Sequence, residues 1–158
     1  QSRNKGLPDE QWPFQVVIDE DKPNRMFVVT KNGKNKGLID ENKSKGEDLG
    51  YVGRSKNRGQ SWKKIMVGLK PKAEEYYALV IHPDYSDLLF LSTNKGMYAS
   101  TNGGNSWTPF NNGLPTTNNQ MRDNVAANLK IAEDAKGDPY LLLSLNNYGI
   151  WKADLSGL

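Results

Sequence analysis

The sequence predicts an all-β fold built from repeated four-stranded antiparallel units. Two observations carry this prediction. First, the stretches 55–62 and 100–107 both fit S-x-N-x-G-x-S-W, and their first serines lie 45 residues apart. An internal repeat of this period is typical of propellers, solenoids and arrays. Second, the apolar runs between these stretches are short and are bounded by Asp, Pro, Asn and Gly, which is the pattern of strands joined by hairpin turns.

Each unit begins with two apolar runs separated by a short acidic turn. From the isoleucine of the first run to the aromatic residue of the second, the distance is nine residues in every copy: Ile18 to Phe27, Ile81 to Phe90 and Ile131 to Tyr140. Third strands are predicted at 50–53, 96–99 and 149–152, and a fourth strand follows the tryptophan of each repeated motif. No segment longer than one or two turns has helical periodicity. Four antiparallel strands per unit are typical of a β-propeller blade.

The predicted organisation is a single propeller segment of about three blades. Residues 1–11 are expected to form the last strand of a preceding or partner blade, followed by blades at 12–70 and 71–115 and an incomplete blade at 116–158. The first blade contains an insertion at 31–48 that has little to bury and is expected to be exposed. Closed propellers have 4–8 blades, so the segment is expected to belong to a larger ring. A further propeller chain or copies of this chain are the alternatives for closing that ring.

Composition excludes several classes of function. The 158 residues carry a net charge of +3 without a basic run of five or more, which disfavours binding to nucleic acid. There is no cysteine, so disulfides, thiolate metal sites and a cysteine nucleophile are excluded. No apolar run approaches the roughly 20 residues of a membrane-spanning helix. Because the first residue is Gln1, we expect a processed or trimmed product, extracellular or periplasmic.

The repeated motif resembles the Asp-box of the bacterial neuraminidase repeat family, whose usual form is S-x-D-x-G-x-T-W. The flanking stretches 93–100 and 112–115 are similar to those of sortilin-like and xyloglucanase-like propellers. The resemblance covers two full blades and, over 125–158, the first three strands of a third. It implies that each box is a structural hairpin on the face opposite the ligand-binding face. The residues to which this structural role is assigned are Ser55, Asn57, Gly59, Ser61, Trp62, Ser100, Asn102, Gly104, Ser106 and Trp107.

The sequence offers little for catalysis. His82 is the only histidine, which disfavours a nucleophilic triad and a histidine metal site, and it is expected to stabilise a corner. The acidic turns at 19–21, 84–87 and 133–134 recur at one register, which favours solvated turns over a carboxylate pair. Arginine residues 25, 54 and 122 occupy different registers, so the arginine cluster of a sialidase is not expected. We predict no catalytic residue, no metal and no cofactor.

Ligand-binding residues are predicted on the opposite face, in the connections at 31–48, 70–77, 116–124 and 146–148. Aromatic rings with amides and carboxylates suit recognition of sugar or peptide, and they equally suit an ordinary wet rim. The candidates are Glu74, Glu75, Tyr77, Asn118, Asn119, Gln120, Arg122 and Asp123. The predicted function is non-catalytic binding or scaffolding that recognises protein or glycan. The alternative is a fragment or subunit of a sialidase-like or xyloglucanase-like glycoside hydrolase, which needs two carboxylates about 5–10 Å apart; Glu74, Glu75 and Asp123 are its candidates.

Overall fold

The computed structural model describes residues 5–9, 11–32, 48–72, 74–111, 114, 126–145 and 149–155, and every regular element in them is a β-strand. The first sheet contains β1 (Gln11–Ile18), β2 (Met26–Asn32), β3 (Gly50–Ser55) and β4 (Lys63–Lys64). The second contains β5 (Tyr76–Ile81), β6 (Leu89–Thr93), β7 (Gly96–Ser100) and β8 (Thr108–Pro109). The third contains β9 (Ala126–Glu133), β10 (Pro139–Leu145) and β11 (Gly149–Asp154).

Consecutive strands pair antiparallel within each sheet, as the repeat predicted. The fourth strands are shorter than predicted, at two residues each, and the third sheet has three strands. After each short fourth strand the chain leaves its own sheet to reach the next one. The predicted unit boundaries at 11/12, 70/71 and 115/116 stay predictions, and β1 begins one residue before the first of them.

The three sheets share one register. The pairs Val17–Phe27, Val80–Phe90 and Ala132–Tyr140 occupy the same place in the first, second and third sheet. We call the face that each sheet turns toward the next sheet its forward face, and the opposite one its rear face. One cluster of buried side chains joins the forward face of the first sheet to the rear face of the second, and another joins the second to the third. The first cluster is Phe27, Val29, Val52, Ile65, Leu69, Tyr76, Leu79, Leu89, Leu91, Tyr98 and Trp107.

The connection between sheets docks on the tryptophan of the following motif. Gly68 has φ +93°, and the backbone N–H of Trp107 donates to the carbonyl oxygen of Val67 at 2.9 Å. A Cβ at Gly68 would lie 2.1 Å from the Trp107 carbonyl oxygen, so only glycine fits there. Gly6, with φ +87°, meets Trp62 with the same 2.1 Å spacing. Residues 5–8 therefore enter the first sheet as residues 67–70 enter the second.

The connections between strands distinguish an upper end and a lower end of the sheets. The upper end holds the β2–β3 and sheet-to-sheet connections, and the lower end holds the β1–β2 turns and the repeated motifs between β3 and β4. At the upper end, both β1 and β5 contain an irregularity, between Pro13 and Gln15 and between Tyr76 and Ala78. Gln15, which follows the irregularity in β1, bridges the first and second sheets. Its Oε1 accepts the backbone N–H of Leu79 at 2.7 Å, and its Nε2 donates to the Leu79 carbonyl at 3.2 Å.

Candidate functional site

A cluster of aromatic rings and charges lies at the upper end, where β1, β2 and β5 meet. The ammonium of Lys31 lies 4.1 Å from the ring centre of Phe14 and 4.3 Å from that of Tyr77. Both distances fit cation–π contacts. Burial lowers the pKa of Lys31, and the charge of Glu75 acts in the opposite direction. The strand irregularity after Pro13 positions Phe14 at this junction.

Glu75 and Tyr77, two predicted ligand residues, belong to this cluster. The hydroxyl of Tyr77 donates to Oε2 of Glu75 at 2.7 Å, and Asn94 accepts the Glu75 backbone N–H at 3.0 Å. Burial, followed by the hydrogen bond to Glu75, raises the pKa of Tyr77, so its hydroxyl stays a donor at neutral pH. Both residues are half-buried, which leaves part of each open to a ligand.

Glu74 lies elsewhere. Its side chain is 3% exposed, and its Oε1 accepts the hydroxyl of buried Tyr98 at 2.9 Å. The structure therefore places Glu74 in the interior of the junction and not on the rim where ligand binding was predicted. Its Oε2 has no hydrogen-bond partner in the structure as described. The other predicted ligand residues, namely Asn118, Asn119, Gln120, Arg122 and Asp123, lie outside the described residues, as do 33–47 of the predicted insertion.

Sequence reasoning missed three residues of this end: Phe14, Lys31 as a ring-contacting cation, and Trp12. Trp12 is paired with Lys31 across β1 and β2, and both Trp12 and Phe14 are 56% exposed. Two large aromatic side chains flanking a proline at the start of a strand were the available signal. Exposed aromatics beside a charged pair are typical of a binding surface.

The lower end carries the repeated motifs, each closed by the same side-chain bonds. In the first, Oδ1 of Asn57 accepts the Ser55 hydroxyl and the Ser61 backbone N–H, both at 2.9 Å. The Ser55 hydroxyl also accepts the N–H of Gly59 at 2.9 Å. The second motif repeats these three bonds at 2.9 Å with Ser100, Asn102, Ser106 and Gly104. The amide oxygen thus makes the contacts that an aspartate would make.

Two arginines tie the lower ends of the first and second sheets together. Arg25 donates to Asp19 at 2.6 Å and to Asp87, and burial, which lowers its pKa, is outweighed by these two acids. Arg54 donates to the carbonyl of Gly103 at 2.6 Å, and burial and the charge of Arg25 lower its pKa. Arg25 and Arg54 lie close to each other beside Gly103, whose Cβ would lie 3.0 Å from Arg25 and 3.7 Å from Arg54, whereas Arg122 lies outside the described residues. Arg25 precedes β2 and Arg54 lies near the end of β3, yet both guanidiniums donate to acceptors on the second sheet.

The acids of the three acidic turns are exposed, as predicted, with the exception of Asp19. Asp19 is 1% exposed and accepts the backbone N–H groups of Asp21 and Lys22 at 3.1 and 3.2 Å. His82 occupies the same register in the second sheet: it is 2% exposed, and its Nδ1 accepts the N–H of Asp84 at 3.2 Å. Burial lowers the pKa of His82 against the charge of Asp84. Its ring therefore replaces a carboxylate as the acceptor that closes the turn.

The first strands of the three sheets, β1, β5 and β9, line an open groove of about 1010 Å³. Across the part of the chain that the structure describes, no three His, Cys, Asp or Glu side chains are grouped to hold a metal ion. No described helix is long and apolar enough to cross a membrane.

No protein-family model and no curated protein matches the chain. Solved structures do. The GH74 xyloglucanase from Xanthomonas campestris aligns with a TM-score of 0.61 and 18% identity, over 96% of this chain and 22% of the enzyme. A GH74 enzyme from Niastella koreensis aligns with a TM-score of 0.58 and 19% identity, over 92% and 21% of the two chains. YCF48 from Cyanidioschyzon merolae gives 0.50 and 16%, over 94% and 38%.

This chain is a segment of a β-propeller. Its three sheets are blades, and it spans about a fifth of the length of the GH74 enzymes it resembles. The similarity concerns the fold, because sequence identity is below one fifth in both cases. The Asp-box assignment of the two repeated motifs stays a prediction.

Proposed function

We propose that this propeller segment is a binding module whose ligand, a glycan or a protein segment, lies on the upper end between the first and second blades. The observation that carries the proposal is the Lys31 ammonium held between the rings of Phe14 and Tyr77, beside the Glu75 carboxylate and exposed Trp12. Aromatic faces supply apolar contact with a ligand, and the charged groups of Lys31 and Glu75 supply directional hydrogen bonds to it. The predicted connection at 116–124 would complete the surface. We place the protein outside the cell or in the periplasm.

The repeated motifs take no part in this binding. They lie at the lower end, and their serine and asparagine side chains are engaged with the motif's own backbone. We propose that they are Asp-boxes with a structural role, which is to hold the β3–β4 turns.

A second candidate function is a portion of a glycoside hydrolase, which the GH74 similarities favour. Among the candidate acids, Glu75 is the one at the described rim. Its Oε2 accepts a hydrogen bond from the Tyr77 hydroxyl, and in this candidate function Glu75 would act as the base or nucleophile of the pair. The acid partner of a catalytic pair would have to come from Asp123 or from another blade.

Binding to a panel of glycans and peptides, followed by calorimetry on the best ligand, tests the proposal. Trp12→Ala and Tyr77→Phe should each weaken binding about tenfold or more, because one loses a stacking face and the other a donor that positions Glu75. Tyr85→Ala is the matched control, since Tyr85 is an exposed aromatic at the lower end. Equal losses in the control, or no loss in the two variants, would contradict an upper-end site. Release of reducing sugar that disappears in Glu75→Gln would instead support the hydrolase.

A further inference from the structure

The ammonium of Lys31 is held by two aromatic rings. It lies 4.1 Å from the ring centre of Phe14 and 4.3 Å from that of Tyr77. Among the described residues it has neither a salt bridge nor a hydrogen bond. Ring faces attract a cation through their quadrupole. The attraction therefore depends on the charge of the bound group and on its fit between the rings, and not on the number of N–H donors that the group carries.

Glu75 supplies negative charge to the same place. Its Oε2 accepts the Tyr77 hydroxyl at 2.7 Å, which fixes the carboxylate beside one of the two rings. The charge of Glu75 reaches Lys31, because it raises the pKa of that ammonium against the lowering effect of burial. Trp12 lies directly opposite Lys31 on β1, so the two side chains are cross-strand neighbours. We call the group formed by Trp12, Phe14, Glu75 and Tyr77 the upper cage.

The upper cage is accessible from solvent. Trp12 and Phe14 are each 56% exposed, and Glu75 and Tyr77 are partly buried. Aromatic rings that are exposed together are typical of a binding surface. A cationic group of a ligand can therefore reach the ring faces and the carboxylate from outside, provided that the Lys31 ammonium leaves them.

Lys31 is an occupant that can be displaced. It is the next-to-last residue of β2 (Met26–Asn32), and its ammonium reaches the upper cage on a flexible four-carbon stem. Holding this stem in one conformation costs rotamer entropy, and this cost is of the same order as the gain from a partly exposed cation–π contact. Because no ion pair or hydrogen bond to a described residue anchors the ammonium, we expect the occupied and open forms of the cage to lie close in free energy.

We propose that the upper cage binds the ammonium of a lysine side chain, bare or methylated, on a partner protein segment, and that Lys31 occupies the cage until that segment displaces it. A lysine is favoured because the present occupant is itself a peptide-borne ammonium, whereas glycans are mostly neutral or anionic. Methylation keeps the charge, and aromatic cages bind quaternary ammonium groups. Once displaced, Lys31 stays beside the cage and can donate to a backbone carbonyl of the bound segment. This inference rests on the proposed function, because it assigns a ligand class to the same surface.

Titration of the full chain with short peptides, followed by NMR, tests the proposal. The probes are a capped glycine–lysine–glycine peptide and two variants, with trimethyllysine or norleucine in place of lysine. Norleucine keeps an unbranched apolar stem but lacks the charge. The lysine and trimethyllysine peptides should shift the ring resonances of Phe14 and Tyr77, and the norleucine peptide should bind about fivefold more weakly or worse, because it offers no cation to the rings and the carboxylate.

Lys31→Ala tests the displacement. If Lys31 fills the cage for about nine-tenths of the time, removing it should lower the Kd for the lysine peptide about tenfold, because the apparent affinity is reduced by the fraction of molecules with an open cage. Lys95→Ala is the matched control, since it removes an exposed positive charge from the β6–β7 turn at the same end, and it should change this Kd less than about twofold. Adding Glu75→Gln to Lys31→Ala should raise the Kd about fivefold or more. Circular dichroism checks that every variant is folded.

Three results would overturn the proposal: no binding of the lysine peptide to the Lys31→Ala chain, equal Kd values for the lysine and norleucine peptides, or a gain in Lys31→Ala no larger than in Lys95→Ala. Each of them leaves the proposed function standing as long as a ligand from the glycan and peptide panel loses affinity in Trp12→Ala. If no ligand of that panel is sensitive to Trp12→Ala or Tyr77→Phe, the upper-end site itself is wrong, and the inference falls with it.

Discussion

Arg25→Met tests how much the ion pairs of Arg25 with Asp19 and Asp87 contribute to stability. The substitution keeps an unbranched apolar stem beside Phe27, over whose ring the Arg25 guanidinium lies at 5.6 Å. It removes the bonds from the guanidinium to Asp19, to Asp87 and to the carbonyl of Ser86. The Asp19 carboxylate, 1% exposed, is then left buried without a cation.

The size of the effect follows from the burial of the two acids. Removing one partner of a buried ion pair costs about 3–5 kcal/mol. Asp19 keeps two backbone N–H donors, which reduces this cost, and Asp87 adds little because its side chain is 58% exposed. The expected loss in free energy of unfolding is about 2–4 kcal/mol. For a chain of this size, that lowers the Tm by roughly 5–15 °C.

Urea unfolding followed by tryptophan fluorescence measures this loss, with Arg54→Met as the control. Arg54 bonds only to uncharged acceptors across the junction, so its loss should be about 1 kcal/mol. Adding Asp19→Asn to Arg25→Met should recover about 1–3 kcal/mol, because a carboxamide accepts the same N–H bonds without a buried charge. If Arg25→Met costs no more than the control, or if Asp19→Asn recovers nothing, the buried ion pair does not hold this junction.

Two further substitutions test the turn and the connection. Burial lowers the pKa of His82 in the folded chain, so as the pH falls below about 6.5 the unfolded chain binds a proton before the folded chain does. The contribution of His82 to stability is therefore full above that pH and is lost as the pH falls toward the folded pKa. His82→Asp should remove this decline from a plot of Tm against pH, and an unchanged decline would assign it to another group. Gly68→Ala should cost about 3 kcal/mol or more in urea unfolding, since its Cβ would meet the Trp107 carbonyl, whereas Gly137→Ala, with a φ of +87° and nothing within 4 Å, should cost only about 1 kcal/mol of backbone strain. Equal costs for the two glycines would show that the close approach is not limiting.

Much of the fold was predictable because the repeat fixes register. The nine-residue spacing from Ile18 to Phe27 recurs in the second blade with the same strand pairing. In the third blade the turn is two residues shorter, so Ile131 pairs with Leu141 and the predicted equivalence of Ile131 with Ile18 is wrong. What the repeat does not encode is where a strand stops. Strand β4 ends after two residues because the chain then leaves the sheet at Gly68 to dock on Trp107, 39 positions away. Gly6, which precedes β1, makes the same contact with Trp62, 56 positions away.

The candidate site was predictable in part. Glu75 and Tyr77 come together at the rim, but Glu74, which adjoins them in sequence, lies in the core. Alternation along the strand places Glu74 and Tyr76 on one side and Glu75 and Tyr77 on the other, and their burial follows this order. Lys31 enters the site from a different strand, so its contact with two aromatic rings depends on the packing of the first two blades.

The arginine pair shows that residues from different registers of the repeat can meet across a junction. Arg25 follows the β1–β2 turn and Arg54 is the penultimate residue of β3, so a comparison of repeats assigns them to different positions. Antiparallel pairing nevertheless brings both turns to the lower end, and the next blade offers acceptors to both guanidiniums. Residues at one end of a blade are therefore neighbours whatever their place in the repeat.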